Sequence, residues 1–520
     1  MTTAVSKNLI LLIAVGLGTG LALGQDWERE EVKFGEIENY AKELAAKPYE
    51  APDKEALPGW MKKLSYDQYR DIRFDPERAL WAGTDIPFRA MFFHPGYLFR
   101  EPVMISEFTD THRQKVRLTE AFFKYGNLIG ERGELSPENG FAGLKLLARL
   151  NDPERFDELA AFQGASYWRA LGKNQRYGIS ARGIAVDTGA EGVQEEFPVF
   201  REFWLRKPEP DSKFSQMFAL LDGPSYTGAY SFTIYPGDDT VVDVKAVLFT
   251  RKEVKRLGIA PMSSMYWFGE NSRRRFDDFR PEVHDSDGLA IYKGSGERLW
   301  RPVSNDSGQL EFSFFQMEKC KGFGLLQRDR RFEAYEDGEA AYESRPSLWI
   351  EPTSDWGPGS VMLMEIPTHN ELADNTVAMW QPAVTPKAGE RVEFHYKQHW
   401  TMNGDPAGAG GHVVATRTGV HDWQPEQRTV VVEFFGENLL EKDGKLPEAF
   451  VEADGETAAE IVIQGITVQS MPGNKVRLAF QLKPAEEGAK LSDIKPVELR
   501  AALKKGENFL TETWVYRIKP

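Results

Sequence analysis

The sequence is poor in cysteine and in positive charge. Cys320 is the only cysteine among 520 residues, so the chain forms no internal disulfide and depends on a hydrophobic core for its stability. Acidic residues outnumber basic residues by 79 to 64, which leaves a net charge of −15. This excess of negative charge argues against nucleic acid and against anionic lipid as partners.

Several catalytic motifs are missing as well. The chain has no P-loop, no His-Glu-x-x-His, no Gly-x-Ser-x-Gly and no Cys/His ligand cluster. The residues needed for phosphoryl transfer, for zinc proteolysis and for serine hydrolysis with a nucleophile elbow are therefore absent from the sequence. The segment Asp285-x-Asp287-Gly288 resembles the start of a calcium loop, but the third acidic ligand and the terminal glutamate of an EF-hand are absent. We predict neither a metal nor a cofactor.

Long apolar runs are confined to the N-terminus. One lysine precedes an apolar stretch from Leu9 to Leu23, and small residues flank a cleavage point before Gln25. This pattern predicts a removable export signal over residues 1–24. The stretch is shorter than the roughly 20 residues that span a bilayer, and no later segment is apolar enough to insert. Export, net acidity and a single cysteine together predict a periplasmic protein without membrane insertion.

Helical periodicity is scarce, and strand periodicity is abundant. We predict helices over residues 34–46, over 144–150 after a cap at Ser136, and over a short segment at 153–161. Nearly all of the chain after residue 175 alternates apolar and polar residues with a period of two, interrupted by Pro-Gly, Asp-Gly and Ser-Gly turns. The fold class is therefore predicted to be all-β.

A connector containing proline and glycine interrupts the strand pattern at residues 381–390. About seven or eight short strand patterns follow it in roughly 130 residues, a spacing that suits a small immunoglobulin-like sandwich. We therefore predict a large domain over residues 25–386 and an immunoglobulin-like β-sandwich over residues 387–520.

Carboxylates lie beside aromatic residues at several places in the sequence, and this pairing indicates a sugar-binding site. Sugars need this pairing, because their C–H faces stack on rings while their hydroxyl edges bond to planar polar groups. The alternative for each ring is a core position. The candidate sugar-binding residues are Tyr167, Trp168, Arg169, Trp267, Glu270, Asn271, His284, Trp300 and Glu351.

Cleavage of a glycosidic bond asks for two carboxyl groups, one that donates a proton and one that activates water or attacks. Asp285 and Asp287 are two residues apart and share a face if the strand extends that far. Glu371 and Asp374 diverge on a strand, but a turn brings them together. The alternatives are that these acids form ordinary turns or that residues 282–287 belong to a structural network of paired charges.

Seven segments carry a family resemblance. They resemble, in order, the signature blocks of the periplasmic glucan biosynthesis proteins of the OpgG/OpgD (MdoG) family, and the likeness runs from about residue 30 to the C-terminus. The blocks are FFHPGYLF at 92–99, QGASYWR at 163–169, FPVFREFW at 197–204, MYWFGEN at 265–271, FRPEVHDSDG at 279–288, GFGLLQRD at 322–329 and RPSLWIEP at 345–352.

The resemblance implies an exported protein with a large antiparallel β-sandwich of the galactose-mutarotase-like kind and an immunoglobulin-like C-terminal domain. It implies action on the backbone of osmoregulated periplasmic glucans, since some members are similar to inverting β-1,2-glucanases or to transglycosylases. Asp374 would be the general acid, and Asp287, in preference to Asp285, the base. The competing interpretation is a non-catalytic glucan-binding accessory to a membrane glucosyltransferase.

One block departs from the family pattern. The family usually reads Glu-Thr-Asn-Asp-Asn where this chain has Leu372 and Ala373 in place of the two polar residues. Two hypotheses follow: the apolar residues dry the site around Asp374, or they merely remove a polar relay. Either change alters how the acid is held and how water reaches the base.

Overall fold

A computed structural model of the chain describes residues 29–272, 276–305, 308–403, 408, 410–421, 424–440 and 444–518. Strands account for 47% of the structure and helices for 9%, so the all-β prediction is confirmed. The predicted export signal lies outside the described residues. In the described part of the chain, no helix combines the length and apolarity that crossing a bilayer requires.

The helices of the described residues are short. The predicted helix at residues 34–46 is confirmed as α1, and its Ile37 and Ala41 are buried against a sheet. The α-helices are α1 (Phe34–Ala45), α2 (Gly59–Lys62), α3 (Tyr66–Arg70) and α4 (Phe332–Tyr335). Single 3-10 turns lie at Pro76–Arg78, Glu120–Phe122, Pro137–Asn139, Tyr342–Ser344, Ala458–Glu460 and Leu491–Asp493.

The strands run along the whole described chain. They are β1 (Ile72–Phe74), β2 (Phe88–Phe92), β3 (Met104–Phe108), β4 (Arg113–Val116), β5 (Phe123–Tyr125), β6 (Gly143–Ala148), β7 (Asp157–Gln163), β8 (Tyr167–Ala170), β9 (Ser180–Arg182), β10 (Ile184–Val186), β11 (Val199–Arg206), β12 (Ser215–Asp222), β13 (Tyr226–Tyr235), β14 (Thr240–Thr250), β15 (Leu257–Ser264), β16 (Tyr266–Phe268), β17 (Val283–His284), β18 (Gly288–Lys293), β19 (Arg298–Pro302), β20 (Glu311–Met317), β21 (Cys320–Leu326), β22 (Ser347–Pro352), β23 (Gly359–Glu365), β24 (Thr376–Pro382), β25 (Arg391–Thr401), β26 (His412–His421), β27 (Gln424–Phe435), β28 (Glu448–Asp454), β29 (Ile461–Met471), β30 (Lys475–Pro484), β31 (Val497–Lys505), β32 (Asn508–Phe509) and β33 (Thr513–Ile518).

Residues 144–150 and 153–161, predicted to be helical, instead contribute to the strands β6 and β7. The cap at Ser136 starts only the single 3-10 turn Pro137–Asn139. The two strands pair antiparallel, and the alternate leucines of β6 lie in the core. Burial against the sheet therefore outweighs the local helix propensity of these Leu, Ala, Lys and Arg residues.

Two large sheets pack face to face around the main core. The first sheet has the strand order β2-β6-β7-β8-β9-β15-β24-β23-β20, with β10 paired to β15. The second sheet has the order β28-β31-β33-β19-β18-β21-β22-β25-β14-β13-β12-β11-β3-β4. Leu146 and Trp380 of the first sheet share one buried cluster with Phe232 and Tyr396 of the second. This arrangement is a large β-sandwich.

A third sheet, with the order β26-β27-β30-β29, packs on the end of the second sheet that contains β28, β31 and β33. Their shared core includes Val430, Leu478, Leu499 and Trp514. Strand β33 also pairs in parallel with β19, through Leu299 and Thr513, so the second sheet runs without a break into the C-terminal part. The immunoglobulin likeness of this smaller sandwich stays a prediction.

The connector at residues 381–390 is the link between β24 and β25. The predicted boundary between residues 386 and 387 would give β25 to the C-terminal domain. Strand β25 pairs with β14 and β22 in the second sheet, but that sheet also contains the C-terminal strands β28, β31 and β33, so the boundary stays a prediction. A Pro/Gly connector marks a change of sheet as readily as a change of domain, and here it carries the chain from the first sheet to the second.

Candidate functional site

The two aspartates of the His-Asp-Ser-Asp-Gly block lie between strands. Strand β17 ends at His284, which pairs with Tyr266 of β16, and β18 begins at Gly288. The Asp285 amide donates to the carbonyl of Met265 at 2.8 Å. Because the segment is not one continuous strand, the expectation that Asp285 and Asp287 share a face does not apply. Their side chains contact different partners.

Asp285 is buried against an arginine. Its Oδ1 lies 2.5 Å from Nη1 of Arg345. A Cβ on Gly178 would lie 2.9 Å from the Arg345 Cβ and 3.3 Å from the Asp285 Cγ, so only glycine fits beside this pair without displacement. Burial raises the pKa of Asp285, the Arg345 guanidinium opposes the rise, and the charge of Asp374 adds to it. Asp374 is therefore an electrostatic neighbour of Asp285.

Asp374 lies on the loop between β23 and β24, where it is exposed. Its Oδ2 is 3.7 Å from Nη2 of Arg169, and Arg169 Nε donates to Ser180 Oγ at 3.0 Å. Burial raises the pKa of the half-buried Tyr167, and Asp374 contributes to that rise. We call Asp285, Asp374, Arg169, Tyr167 and Arg345 the open cluster. The structure thus brings together four predicted site residues and adds Arg345.

Glu371 anchors the same loop. Its Oε2 accepts hydrogen bonds from Arg280 Nη1 at 2.7 Å and from the Tyr342 hydroxyl at 2.5 Å. Arg280 also pairs with Asp337 at 2.8 Å, and the guanidinium of Arg345 lies 4.3 Å from the centre of the Tyr342 ring. Glu371 is thus linked to the open cluster through Tyr342 and Arg345. Its carboxylate is bonded to Arg280 and Tyr342, which indicates a structural role.

Trp267 lies beside this network. Its ring centre is 5.9 Å from the Arg280 guanidinium, and its edge meets Phe276. The side chain is only partly buried. Among the described residues, its Nε1 has no hydrogen-bond partner. Of the three tryptophans predicted to bind sugar, it is the least buried.

Trp168 and Trp300 are core residues, so neither can present its face to a sugar. Trp168 is 1% exposed, stacks on Phe162 and donates from Nε1 to Gln398 Oε1 at 3.0 Å. Trp300 is 3% exposed and lies under the Arg328 guanidinium, 3.5 Å from its ring centre. These two tryptophans therefore fill core positions and do not bind sugar, because the strands β8 and β19 direct their side chains inward.

Glu270 and Asn271 face the C-terminal sandwich and not the open cluster. Glu270 Oε1 accepts from the amide of Thr416 on β26 at 2.9 Å. Asn271 donates to the carbonyl of Val303 at 3.0 Å and accepts from the Tyr266 hydroxyl. Both residues line a cavity of about 20 Å³ at the junction of the two sandwiches. Their hydrogen bonds indicate a structural role there.

Asp287 belongs to the same junction. Its Oδ2 accepts from the amide of Arg328 at 3.0 Å, and it lines the 20 Å³ cavity with Glu270. Arg328 in turn pairs with the fully buried Glu512 at 2.5 Å. Burial raises the pKa of Asp287, whereas the charges of His284 and Arg328 lower it. We call Asp287, Glu270, His284, Arg328 and Glu512 the junction cluster.

His284 is buried and bonded through both ring nitrogens. Nε2 lies 2.8 Å from Glu282 Oε2, and Nδ1 lies 2.7 Å from Gln327 Oε1. Gln327 donates its own amide to the His284 carbonyl, so its oxygen is free to accept. Burial opposes the imidazolium, but the hydrogen bond and the charge of Glu282 outweigh it and raise the pKa of His284 to about 9. His284 is thus a buried cation and not a sugar ligand.

Glu351 lies apart from both clusters. It is on β22 of the second sheet, where its Oε2 is 2.9 Å from His399 Nε2 on the neighbouring β25. Sequence reasoning missed Arg345 and Tyr342, which hold Asp285 and Glu371. Arg345 opens one of the seven blocks, whereas nothing in the sequence signals Tyr342. In the described part of the chain, no three His, Cys, Asp or Glu side chains are grouped to hold a metal ion.

Comparisons with known proteins give one consistent result. Residues 32–518 match the family model described as "Periplasmic glucan biosynthesis protein, MdoG". "Glucans biosynthesis protein G" of Bradyrhizobium diazoefficiens is 42% identical over 504 residues, which is 97% of this chain and 95% of the relative.

Proteins with the same name in two further organisms are equally similar. The one from Shewanella baltica is 43% identical over 92% of this chain and 85% of its own length. The one from Rhodopseudomonas palustris is 42% identical over 92% of each chain. The chain is therefore a member of the MdoG family of periplasmic glucan biosynthesis proteins.

Proposed function

We propose that this protein cleaves or transfers β-1,2-linked glucose chains with inversion, in the periplasm and without a metal. The observation that carries the proposal is the open cluster, where Asp374 and Asp285 are electrostatic neighbours beside polar and aromatic side chains. Two carboxyl groups facing one space are what glycosidic bond cleavage needs. Membership of a glucan biosynthesis family supports a glucan as the substrate.

Asp374 suits the general acid, since it is the exposed carboxyl of the pair and stands on a loop that a sugar can approach. Asp285 suits the base, because burial raises its pKa and so its affinity for a proton, while Arg345 at 2.5 Å stabilises the ionised form that accepts the proton. Asp287, favoured as the base from the sequence, is held by the Arg328 amide at the junction. The base role is therefore better assigned to Asp285.

Tyr167, Arg169 and Trp267 are the side chains best placed to bind the sugar. Arg169 is 41% exposed and supplies guanidinium donors next to the acid, and the two rings offer faces for stacking. Leu372 is 89% exposed and Ala373 is exposed as well, so they do not dry the surroundings of Asp374. Of the two hypotheses for the altered block, the lost polar relay is the one this geometry favours.

The test is hydrolysis of linear β-1,2-glucan by the purified mature protein. We expect new reducing ends, with the opposite anomeric configuration in the first product seen by proton NMR. Asp374→Asn removes the donated proton and keeps the shape, so the rate should fall by about 10²-fold or more while glucan affinity is kept. Asp454→Asn, an exposed carboxyl on β28, is the matched control and should behave as wild type.

A second function is favoured by the relatives' printed name, which speaks of biosynthesis and not of cleavage. In that case the protein binds glucan as an accessory to a membrane glucosyltransferase. Binding of β-1,2-glucan without turnover or transfer by the wild-type protein would support the accessory role. Turnover at the wild-type rate in Asp374→Asn would exclude Asp374 as the acid.

A further inference from the structure

The polar face of the first sheet continues beyond the open cluster. Pairing across the strands sets Lys145 opposite Ala161, Ala161 opposite Arg169, and Arg169 in line with Ser180. Side chains in register across a sheet point to the same face. Leu146, the neighbour of Lys145, points into the core. Lys145 and Arg169 therefore share the outer face.

A cavity lies on this face, between the first sheet and the segment that contains β1. Its volume is about 770 Å³, a size typical of a ligand-binding site. Besides apolar side chains it exposes a tyrosine, several cations and one carboxylate. The polar and aromatic lining includes Tyr69, Arg89, Lys145, Arg155, Phe156 and Glu158.

The floor of the cavity pairs charged groups with an aromatic ring. Lys145 and Glu158 form an ion pair in which 24% and 38% of the side chains are exposed. The Arg89 guanidinium lies 4.2 Å from the centre of the Phe156 ring. Partly exposed donors and acceptors beside rings match the hydroxyl edges and C–H faces of a carbohydrate.

Tyr177 links the cavity to the open cluster. Its hydroxyl is buried, and its pKa is raised by burial and by the charge of Glu158, whereas the charge of Arg169 lowers it. Glu158 of the ion pair and Arg169 of the open cluster therefore both act electrostatically on Tyr177. Polar groups thus continue from the cavity to the open cluster.

We propose that this cavity is a distal subsite that binds the far end of the glucan chain whose scissile bond lies at the open cluster. The proposal rests on the proposed function. Lys145 on β6 and Arg169 on β8 are two strands apart, which corresponds to roughly 10 Å at the usual strand spacing. A chain must therefore be long enough to bridge this separation before it fills both places, so the subsite favours longer chains over the shortest oligosaccharides.

The test measures binding of a ladder of linear β-1,2-linked oligosaccharides, from the disaccharide upward, by calorimetry. Removing the ion pair as a unit, in Lys145→Ala with Glu158→Ala, leaves no unpaired charge. We expect about tenfold weaker binding of long chains, the scale of one or two charge-assisted hydrogen bonds, and unchanged binding of the shortest chains. Lys145→Gln with Glu158→Gln preserves the side-chain volumes and should show the same length dependence if the alanine pair unfolds.

The matched control is Arg206→Ala with Asp110→Ala, an exposed ion pair at the end of β11 in the second sheet. It should keep the wild-type length dependence. An unchanged length dependence in both Lys145/Glu158 variants would overturn the distal subsite while leaving the proposed function intact. Failure of the wild-type protein to bind β-1,2-glucan of any length would overturn both.

Discussion

Asp285 and Asp287 are two residues apart in one motif, yet they serve two different regions of the molecule. Asp285 pairs with Arg345 beside the exposed Asp374. Asp287 lies at the junction of the two sandwiches, held by the backbone of Arg328. Burial raises the pKa of both. Desolvation therefore does not distinguish the two carboxyl groups. They differ because Asp285 has an exposed neighbour, Asp374, whereas the partners of Asp287 are buried.

This difference separates two kinds of charge network. In the open cluster, Asp374 and Arg169 are 45% and 41% exposed, so a ligand can exchange contacts with them. In the junction cluster, Arg328 and Glu512 are 5% and 0% exposed. Water therefore cannot replace a contact that a substitution removes there. We infer that variants of the open cluster affect turnover and binding, whereas variants of the junction cluster affect stability.

The largest effect is expected from Glu512→Gln. Glu512 accepts from both terminal nitrogens of Arg328 and from the Val413 amide at 2.7 Å. The substitution removes the carboxylate that pairs with a buried guanidinium, which costs about 3–5 kcal/mol. The shift of the first urea-unfolding transition measures this loss. Turnover by the protein that remains folded should be unchanged.

Glu452→Gln is the control for this prediction, because its pair with Arg500 is 48% exposed on the glutamate side. Exposed pairs contribute about 0–1 kcal/mol. If Glu512→Gln is no more destabilising than Glu452→Gln, the junction cluster does not hold the sandwiches together and the contrast between the regions fails.

Exchanging each aspartate for asparagine tests the contrast most directly. Asp285→Asn removes the base, so the rate on β-1,2-glucan should fall by about 10²-fold or more in the protein that remains folded. Asp287→Asn can still accept the Arg328 amide, and its rate should stay within a few-fold of wild type. The two rates are measured in one reducing-end assay. Loss of turnover in Asp287→Asn alone would transfer the base role to Asp287.

The sequence predicts the strand content well because alternation reports directly which face of a strand is buried. Thr240–Thr250 is such a strand, in which buried and half-buried residues alternate from Thr240 to Ala246. The failures at β6 and β7 have a different origin, since their Leu, Ala, Lys and Glu residues favour a helix locally. Only the pairing of the two strands, which is a tertiary event, overrides this preference.

The candidate site is predicted less completely, for a topological reason. The motifs indicate that residues 163–169, 279–288 and 370–375 matter, and the open cluster draws on all three. They do not indicate which side chain of each motif points outward. Trp168 and Trp300 look like sugar platforms in the sequence but point into the core, because strand direction fixes their orientation.

A smaller effect is expected from the remaining tryptophan. Trp267→Ala should weaken β-1,2-glucan binding by roughly 1–3 kcal/mol, the value of burying one apolar side chain, while the protein stays folded. Trp168→Ala, by contrast, removes a fully buried ring and should destabilise the fold without a selective effect on binding. Calorimetry and thermal melting separate the two results. Unchanged affinity in Trp267→Ala would show that the ring does not stack on sugar.

The pH dependence of stability sharpens the contrast further. Burial, with the charges of Glu282 and Asp287, raises the pKa of Glu270 to about 8 from an ordinary value of 4.5. The folded state therefore binds more protons than the unfolded state between these values, and stability must fall as the pH rises through that window. The slope per carboxyl is at most about 1.4 kcal/mol per pH unit.

Glu270→Gln keeps the acceptor for the Thr416 amide and cannot ionise. The variant should lose the part of the pH dependence due to Glu270, so its stability relative to wild type should increase from about pH 5 to pH 8. His284 continues to titrate near pH 9 in the variant, which leaves a decline above neutral pH in both proteins. Urea midpoints measured across the pH range give the difference. A constant difference between the two proteins at every pH would show that Glu270 titrates alike in the folded and unfolded states, and the pH dependence that arises at the junction would then come from His284 and Asp287.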